Sequence, residues 1–131
     1  MVFHLARHPD HLIAQHPRVI EDLLEMIQNN QQASVDSIIL MLEDFYQNGR
    51  ASRYLEKLKN LPFFELKTRA RGGQKGGARV YLFLTSDDEA VIINAEIKAG
   101  NQPSSQKLEE AAIILRAYRS GIQVTPPRGN S

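Results

Sequence analysis

Lysine and arginine are the residues of this chain whose type and spacing suggest chemistry. Residues 53–79 hold eight of the 16 Lys and Arg but only two of the 15 Asp and Glu, which gives this segment a net charge of +6. The flanking segments 1–52 and 80–131 carry net charges of −4 and −1. Ammonium and guanidinium groups bind phosphate and stabilise the negative charge that develops during phosphoryl transfer. The distribution therefore indicates an anionic partner, nucleic acid first, with a solvated basic face as the alternative.

An alternation of side chains brings these cations to one surface. Up to Pro62 the apolar residues recur with the helical period, and after it they alternate with polar residues, as in half-buried strands. Strands are predicted at residues 63–71, 78–85 and 90–98. If their aliphatic side packs on the helices, the opposite side carries five cations, two aromatic rings and one amide. These residues are Lys67, Arg69, Arg71, Arg79, Lys98, Tyr81, Phe83 and Asn94.

Two interpretations of this surface are open. A hairpin centred near Lys75 sets Arg71 opposite Arg79, and like charges in that position destabilise a sheet unless an anion lies between them. The mixture of cations and rings suits RNA, because unpaired bases stack on rings while guanidinium groups hold phosphate. In the other interpretation, Glu65 and Glu96 on the same side pair with the cations and neutralise them.

Other chemistry has less support. The absence of cysteine excludes a thiolate zinc site, a disulfide framework and a cysteine nucleophile. Four histidines lie within the first 16 residues, and His8 and His11 suit one face of a helix. The ligand set that zinc needs is incomplete there, so we expect neither a metal nor a cofactor.

The elements that position the cations begin with helices. Pro9 and Pro17 each suit the first turn of a short helix within the first residues of the chain. A helical hairpin is predicted over residues 18–30 and 35–49, with helical turns continuing to Leu61. The residues expected to face the core from its first helix are Ile20, Leu23, Leu24 and Ile27.

A small antiparallel β-meander of three or four strands follows, with the glycine-rich residues 72–77 as a flexible turn. A C-terminal helix begins at Ser104 or Ser105 and is capped by Gly121. The predicted fold class is therefore α+β, in a single domain of residues 1–120 with a flexible tail at residues 121–131. Because no apolar run is long enough to span a membrane and no signal peptide is recognised, we expect a cytoplasmic protein.

Several short motifs, in order, resemble those of a known family. They are Leu55-Glu56-Lys57-Leu58, Phe64-Glu65-Leu66-Lys67-Thr68-Arg69, Arg79-Val80-Tyr81-Leu82-Phe83, Ile97-Lys98 ahead of Pro103, and Leu108-Glu109-Glu110-Ala111. With the order of elements, they make the chain from about Val19 to Ser120 similar to the RelE/ParE superfamily of bacterial toxins, most of all its HigB-type and phage-derived members. The resemblance implies a RelE-like fold and an endoribonuclease that cuts mRNA on the ribosome, with an antitoxin protein as partner and no membrane.

The resemblance also implies roles for the cations. In such enzymes the 2′-hydroxyl attacks the adjacent phosphorus, and cationic side chains stabilise the transition state and move protons. Arg79 would hold the charge on the phosphorus, and Lys67 or Lys98 would transfer protons with a depressed pKa. The catalytic positions implied are Arg79, Lys67, Arg69 and Lys98. The charge and the rings of the predicted surface and its hairpin loop, rather than the resemblance, suggest the RNA-binding positions Arg71, Lys75, Tyr81 and Phe83.

The sequence departs from the family at three places, which leaves other functions open. The glycine-rich loop is longer than usual, and Lys75 at its tip has no counterpart in the family. Ala78 stands where many members have an aromatic residue, and neither histidine nor tyrosine occurs between Phe83 and Tyr118. The alternative is a non-enzymatic protein of the same fold, either a ParE-like inhibitor of DNA gyrase or a member without its catalytic set. A generic nucleic-acid-binding domain is the third possibility.

Overall fold

The computed structural model describes residues 4–8, 11–72, 74–86 and 89–120, which form an α+β fold as the sequence predicts. The helices are α1 (Pro17–Gln28), α2 (Gln32–Asn48) and α3 (Ser105–Arg119), with a single 3-10 turn at Gly49–Ala51. The strands are β1 (His4–His8), β2 (His11–Gln15), β3 (Leu55–Lys57), β4 (Phe64–Lys67), β5 (Ala78–Ser86) and β6 (Glu89–Ile97). The predicted tail at residues 121–131 lies outside the described residues.

The strands of the described chain form one mixed sheet in the order β1-β2-β6-β5-β4-β3. Strands β3 to β6 are antiparallel neighbours and confirm the predicted meander, whereas β2 lies parallel to β6. The helical turns expected before α1 and after α2 are wrong, because β1, β2 and β3 form there. Strand β2 pairs with β1 and with the distant β6, and the edge strand β3 pairs with β4, so local spacing alone does not reveal these strands.

Helix α1 begins where predicted but buries a different face. Pro17 occupies its first turn, and the His16 ring accepts a hydrogen bond from the Arg18 backbone N–H at 3.0 Å. The buried residues of α1 are Val19, Asp22 and Met26. Three of the four residues predicted to face the core are instead exposed, so the prediction is wrong for them. They are Ile20, Leu24 and Ile27, which are 41%, 54% and 46% exposed.

The carboxylate of Asp22 accounts for this rotation of α1. It accepts a hydrogen bond from the Ala95 backbone N–H at 2.9 Å, on the part of β6 that β2 does not reach. It also lies 2.7 Å from Nζ of Lys107 on α3. Because these contacts satisfy the free edge of β6, a polar residue faces inward where an apolar one is expected.

Helices cover both faces of the sheet. On one face α1 and α2 pack over a core that includes Val19, Ile38, Phe45, Leu66 and Ile92. On the other face α3 contributes Ala111, Ile114 and Leu115, which pack with Tyr81, Phe83 and Ile93. The expectation that this second face meets solvent is wrong, because α3 needs a partner for its own apolar side. None of the helices in the described residues is long and apolar enough to cross a lipid bilayer.

Candidate nucleic-acid interface

The hairpin of β4 and β5 decides which cations are neighbours. Lys67 pairs with Arg79 in the observed register, so the predicted pairing of Arg71 with Arg79 is wrong. Strand pairing ends at Thr68, whose hydroxyl oxygen accepts a hydrogen bond from the Ala78 backbone N–H at 3.1 Å. In the loop that joins Thr68 to Ala78, Arg71 does not pair with β5, and its backbone lies against Gly77, where an added Cβ would be 2.7 Å from Arg71 Cα.

The described part of this loop is hydrogen-bonded to Lys98, directly after β6, and packs closely against α2. The Gly72 N–H donates to the Lys98 carbonyl at 2.9 Å, and the Gly77 N–H donates to the Gly72 carbonyl at 2.8 Å. Gly76 has a φ of +79° and lies so close to α2 that an added Cβ would be 2.7 Å from Ser37 Oγ. The glycines therefore allow close packing here, whereas the sequence predicts a flexible turn.

Arg79 is buried in an ion pair. The side chains of Arg79 and Glu65 are 1% and 2% exposed, and Nη1 lies 2.6 Å from Oε1. The second nitrogen, Nη2, donates to the Gly100 carbonyl at 2.8 Å. The prediction of an accessible Arg79 is therefore wrong, and the interpretation of a self-paired surface holds for this residue, with Glu65 as its partner.

Tyr81 and Phe83 lie under α3, where the two residues are 0% and 4% exposed. The Tyr81 hydroxyl donates to Glu96, and the same carboxylate accepts from the Ser104 backbone N–H at 3.0 Å. Burial, reinforced by Glu96, raises the pKa of Tyr81 far above its usual range. Phe83 packs edge-on against Tyr118, with ring centroids 5.1 Å apart. The predicted stacking of RNA bases on these two rings is wrong, because α3 covers them.

Lys98 is a buried lysine with a lowered pKa. Its Nζ donates to the Thr68 carbonyl at 2.6 Å and to the Arg69 carbonyl at 3.3 Å. Burial lowers its pKa, and repulsion from neighbouring cations, Arg79 first, lowers it further. A lysine whose pKa is lowered gives up its proton more readily than an ordinary lysine.

Four cations predicted for the site lie at the surface, at the same end of the sheet. Lys67 is half-buried at the end of β4 and lies 2.7 Å from the exposed carboxylate of Glu56. Arg69, Arg71 and Lys75 are exposed on the loop that follows. Within the residues that the structure describes, Arg69 has no ion-pair partner. We call the group of Lys67, Arg69, Arg71 and Lys75 the cationic end.

Arg53 and Tyr54 lie beside the cationic end, although the sequence does not predict a role for either. A cleft of about 460 Å³ is lined by Arg53, Tyr54, Lys67 and Arg69. The Tyr54 carbonyl accepts a hydrogen bond from the Lys67 backbone N–H at 3.3 Å, which connects two of these lining residues. Arg53 belongs to the +6 segment, but the helix predicted up to Leu61 places it away from the sheet.

In the part of the chain that the structure describes, no three His, Asp or Glu side chains lie close enough together to hold a metal ion. The side chains of His4, His8 and His11 are outside that part. The chain matches no protein-family model, and a search of the curated proteins gives no match. The resemblance to the RelE/ParE superfamily therefore stays a prediction.

Proposed function

We propose that this chain is the toxin of a toxin–antitoxin pair, an mRNA endoribonuclease that acts on the ribosome and holds RNA on the cationic end. Its partners in this proposal are mRNA and an antitoxin protein. The proposal rests on one observation: four surface cations lie at one end of the sheet, next to a buried lysine whose pKa is lowered. Such a cluster binds a phosphodiester backbone because it releases the counterions that surround it.

The proposed reaction is attack of a 2′-hydroxyl on the adjacent phosphorus. The attacking oxygen loses its proton, the bond from phosphorus to the 5′-oxygen breaks, and the 5′-oxygen takes up a proton. Lys67 and Arg69 contact the phosphate oxygens and stabilise the charge of the transition state. Lys98 exchanges protons more readily than an ordinary lysine because its pKa is lowered. Arg79 acts as a positioning residue, because its ion pair with Glu65 keeps it from the phosphate.

A non-enzymatic protein of the same fold is the second candidate, and the burial of Arg79 favours it. An arginine that is 1% exposed offers almost no surface to a scissile phosphate. A protein that uses its cationic end only for binding, or that inhibits DNA gyrase, does not require an accessible arginine at this position. RNA cleavage separates the first candidate from binding alone, and loss of DNA supercoiling identifies gyrase inhibition.

RNA titrations at several salt concentrations test the proposed binding surface. Lys67→Ala and Arg69→Ala each remove one phosphate contact, so each is expected to reduce the slope of log affinity against log salt by about 0.7. Lys59→Ala is the matched control, because Lys59 is exposed in the turn between β3 and β4, at the opposite end of β4 from Lys67. Unchanged affinity and slope in both Lys67→Ala and Arg69→Ala would contradict the proposal.

A further inference from the structure

Arg53 is held against the ring of Tyr54 at the cleft beside the cationic end. Its Cζ lies 4.9 Å from the ring centroid, and its Nη2 donates to the Tyr54 hydroxyl at 2.8 Å. A guanidinium fixed in this way has already lost part of its rotamer freedom, so it loses less on binding a ligand. Because Arg53 is exposed, the side of the guanidinium turned away from the ring is accessible.

Lys67 and Arg69 line the same cleft. The anion closest to them at the surface is Glu56, which lies 2.7 Å from Lys67 Nζ and whose side chain is 57% exposed. Exposed ion pairs contribute little to stability, so a phosphate group replaces Glu56 at small cost. The cleft volume of about 460 Å³ is in the range of sites that hold small ligands.

We propose that this cleft binds one nucleotide of single-stranded RNA, with the phosphate between Lys67 and Arg69 and the base stacked on the Arg53 guanidinium. The inference rests on the proposed function, which supplies RNA as the ligand. Arginine planes stack on unpaired bases, whereas a base in a duplex is already stacked on its neighbours. The cleft therefore selects unpaired RNA over duplex RNA.

Fluorescence anisotropy with a labelled single-stranded RNA of about ten nucleotides tests this inference. Arg53→Ala removes the stacking plane, and we expect it to weaken binding about tenfold. Arg53→Lys keeps the charge without the plane, so its affinity is expected to stay close to that of Arg53→Ala. Arg119→Ala is the matched control, because Arg119 is an exposed arginine on α3 outside the cleft, and its affinity is expected to equal that of the wild type.

The outcomes separate this inference from the proposed function. Full affinity in Arg53→Ala, full recovery in Arg53→Lys, or equal affinity for a duplex of the same sequence overturns the stacking site. If one of these results occurs while Lys67→Ala and Arg69→Ala weaken binding, the cationic end still binds RNA and only the cleft is assigned wrongly. A wild-type protein without affinity for single-stranded RNA overturns both proposals.

Discussion

Arg79→Met removes the charge of one member of a buried ion pair and keeps much of the side-chain volume. The Glu65 carboxylate, 2% exposed, then loses its 2.6 Å contact, and among the described residues its remaining ion-pair partner is Lys67, whose Nζ lies 3.9 Å away. Removing one partner of a buried pair costs about 3–5 kcal/mol, because the other charge stays buried without compensation. For a domain of this size the melting temperature is expected to fall by about 10–20 °C.

Urea denaturation of the wild type, Arg79→Met, Glu65→Leu and the double variant measures the loss in free energy of unfolding and shows whether it comes from the unpaired charge. The double variant removes both charges, so it is expected to recover most of the free energy of unfolding that each single variant loses. Glu56→Ala is the control for an exposed pair with Lys67, and its effect is expected to stay below about 1 kcal/mol. If Arg79→Met is as stable as this control, or if the double variant is no better than the single ones, Arg79 and Glu65 do not stabilise each other as described.

Two further predictions concern a helix cap and a close-packed glycine. Burial lowers the pKa of His16 below its ordinary 6.5, so the unfolded chain takes up the proton first and the fold loses stability as the pH falls below 6.5. His16→Asn keeps a side chain that accepts a hydrogen bond from the Arg18 N–H, and the stability of this variant in urea titrations is expected no longer to depend on pH in this range. If the variant keeps the pH dependence of the wild type, a group other than His16 causes it. Gly76→Ala is expected to lower the free energy of unfolding by about 1–3 kcal/mol. The φ of +79° at this position strains a residue with a side chain, and the added Cβ would lie only 2.7 Å from Ser37 Oγ. Gly100→Ala is the control, because nothing lies within 4 Å of its added Cβ, and it is expected to change stability by less than about 0.5 kcal/mol. Equal melting temperatures of the two variants would contradict the close packing of Gly76 against α2.

Much of the fold follows from local patterns in the sequence. The helical period before Pro62, the alternation after it and the apolar stripe of the last helix correctly predict α2, the strands β4 to β6 and α3, because helix and strand spacings are local properties. Strand β3 is missed because Tyr54, Leu55 and Leu58 also fit a helical spacing, and only pairing with β4 distinguishes the two structures. The buried face of α1 is missed for a similar reason, since the contact of Asp22 with β6 joins distant parts of the chain.

The candidate site is predictable in its charge but not in its burial. The charge count finds the segment that holds the cationic end and Arg53. Alternation correctly places Arg79 and Tyr81 on one face of β5, but whether α3 covers that face depends on packing between distant segments. The same pattern puts Glu65 and Glu96 near Arg79, and only the observed side-chain geometry identifies Glu65 as its partner.

Primer extension on cellular mRNA after induced expression tests most directly whether the cationic end acts on mRNA. Wild type and the Lys59→Ala control are expected to produce new 5′ ends within translated regions, and these ends are expected to disappear when translation is blocked. The double variant Lys67→Ala/Arg69→Ala, checked for folding by its thermal melt, is expected to reduce cleavage about 100-fold, because it removes the groups that stabilise the transition state. Equal cleavage by the folded double variant, or no new 5′ ends with the wild type, would contradict the proposed endoribonuclease.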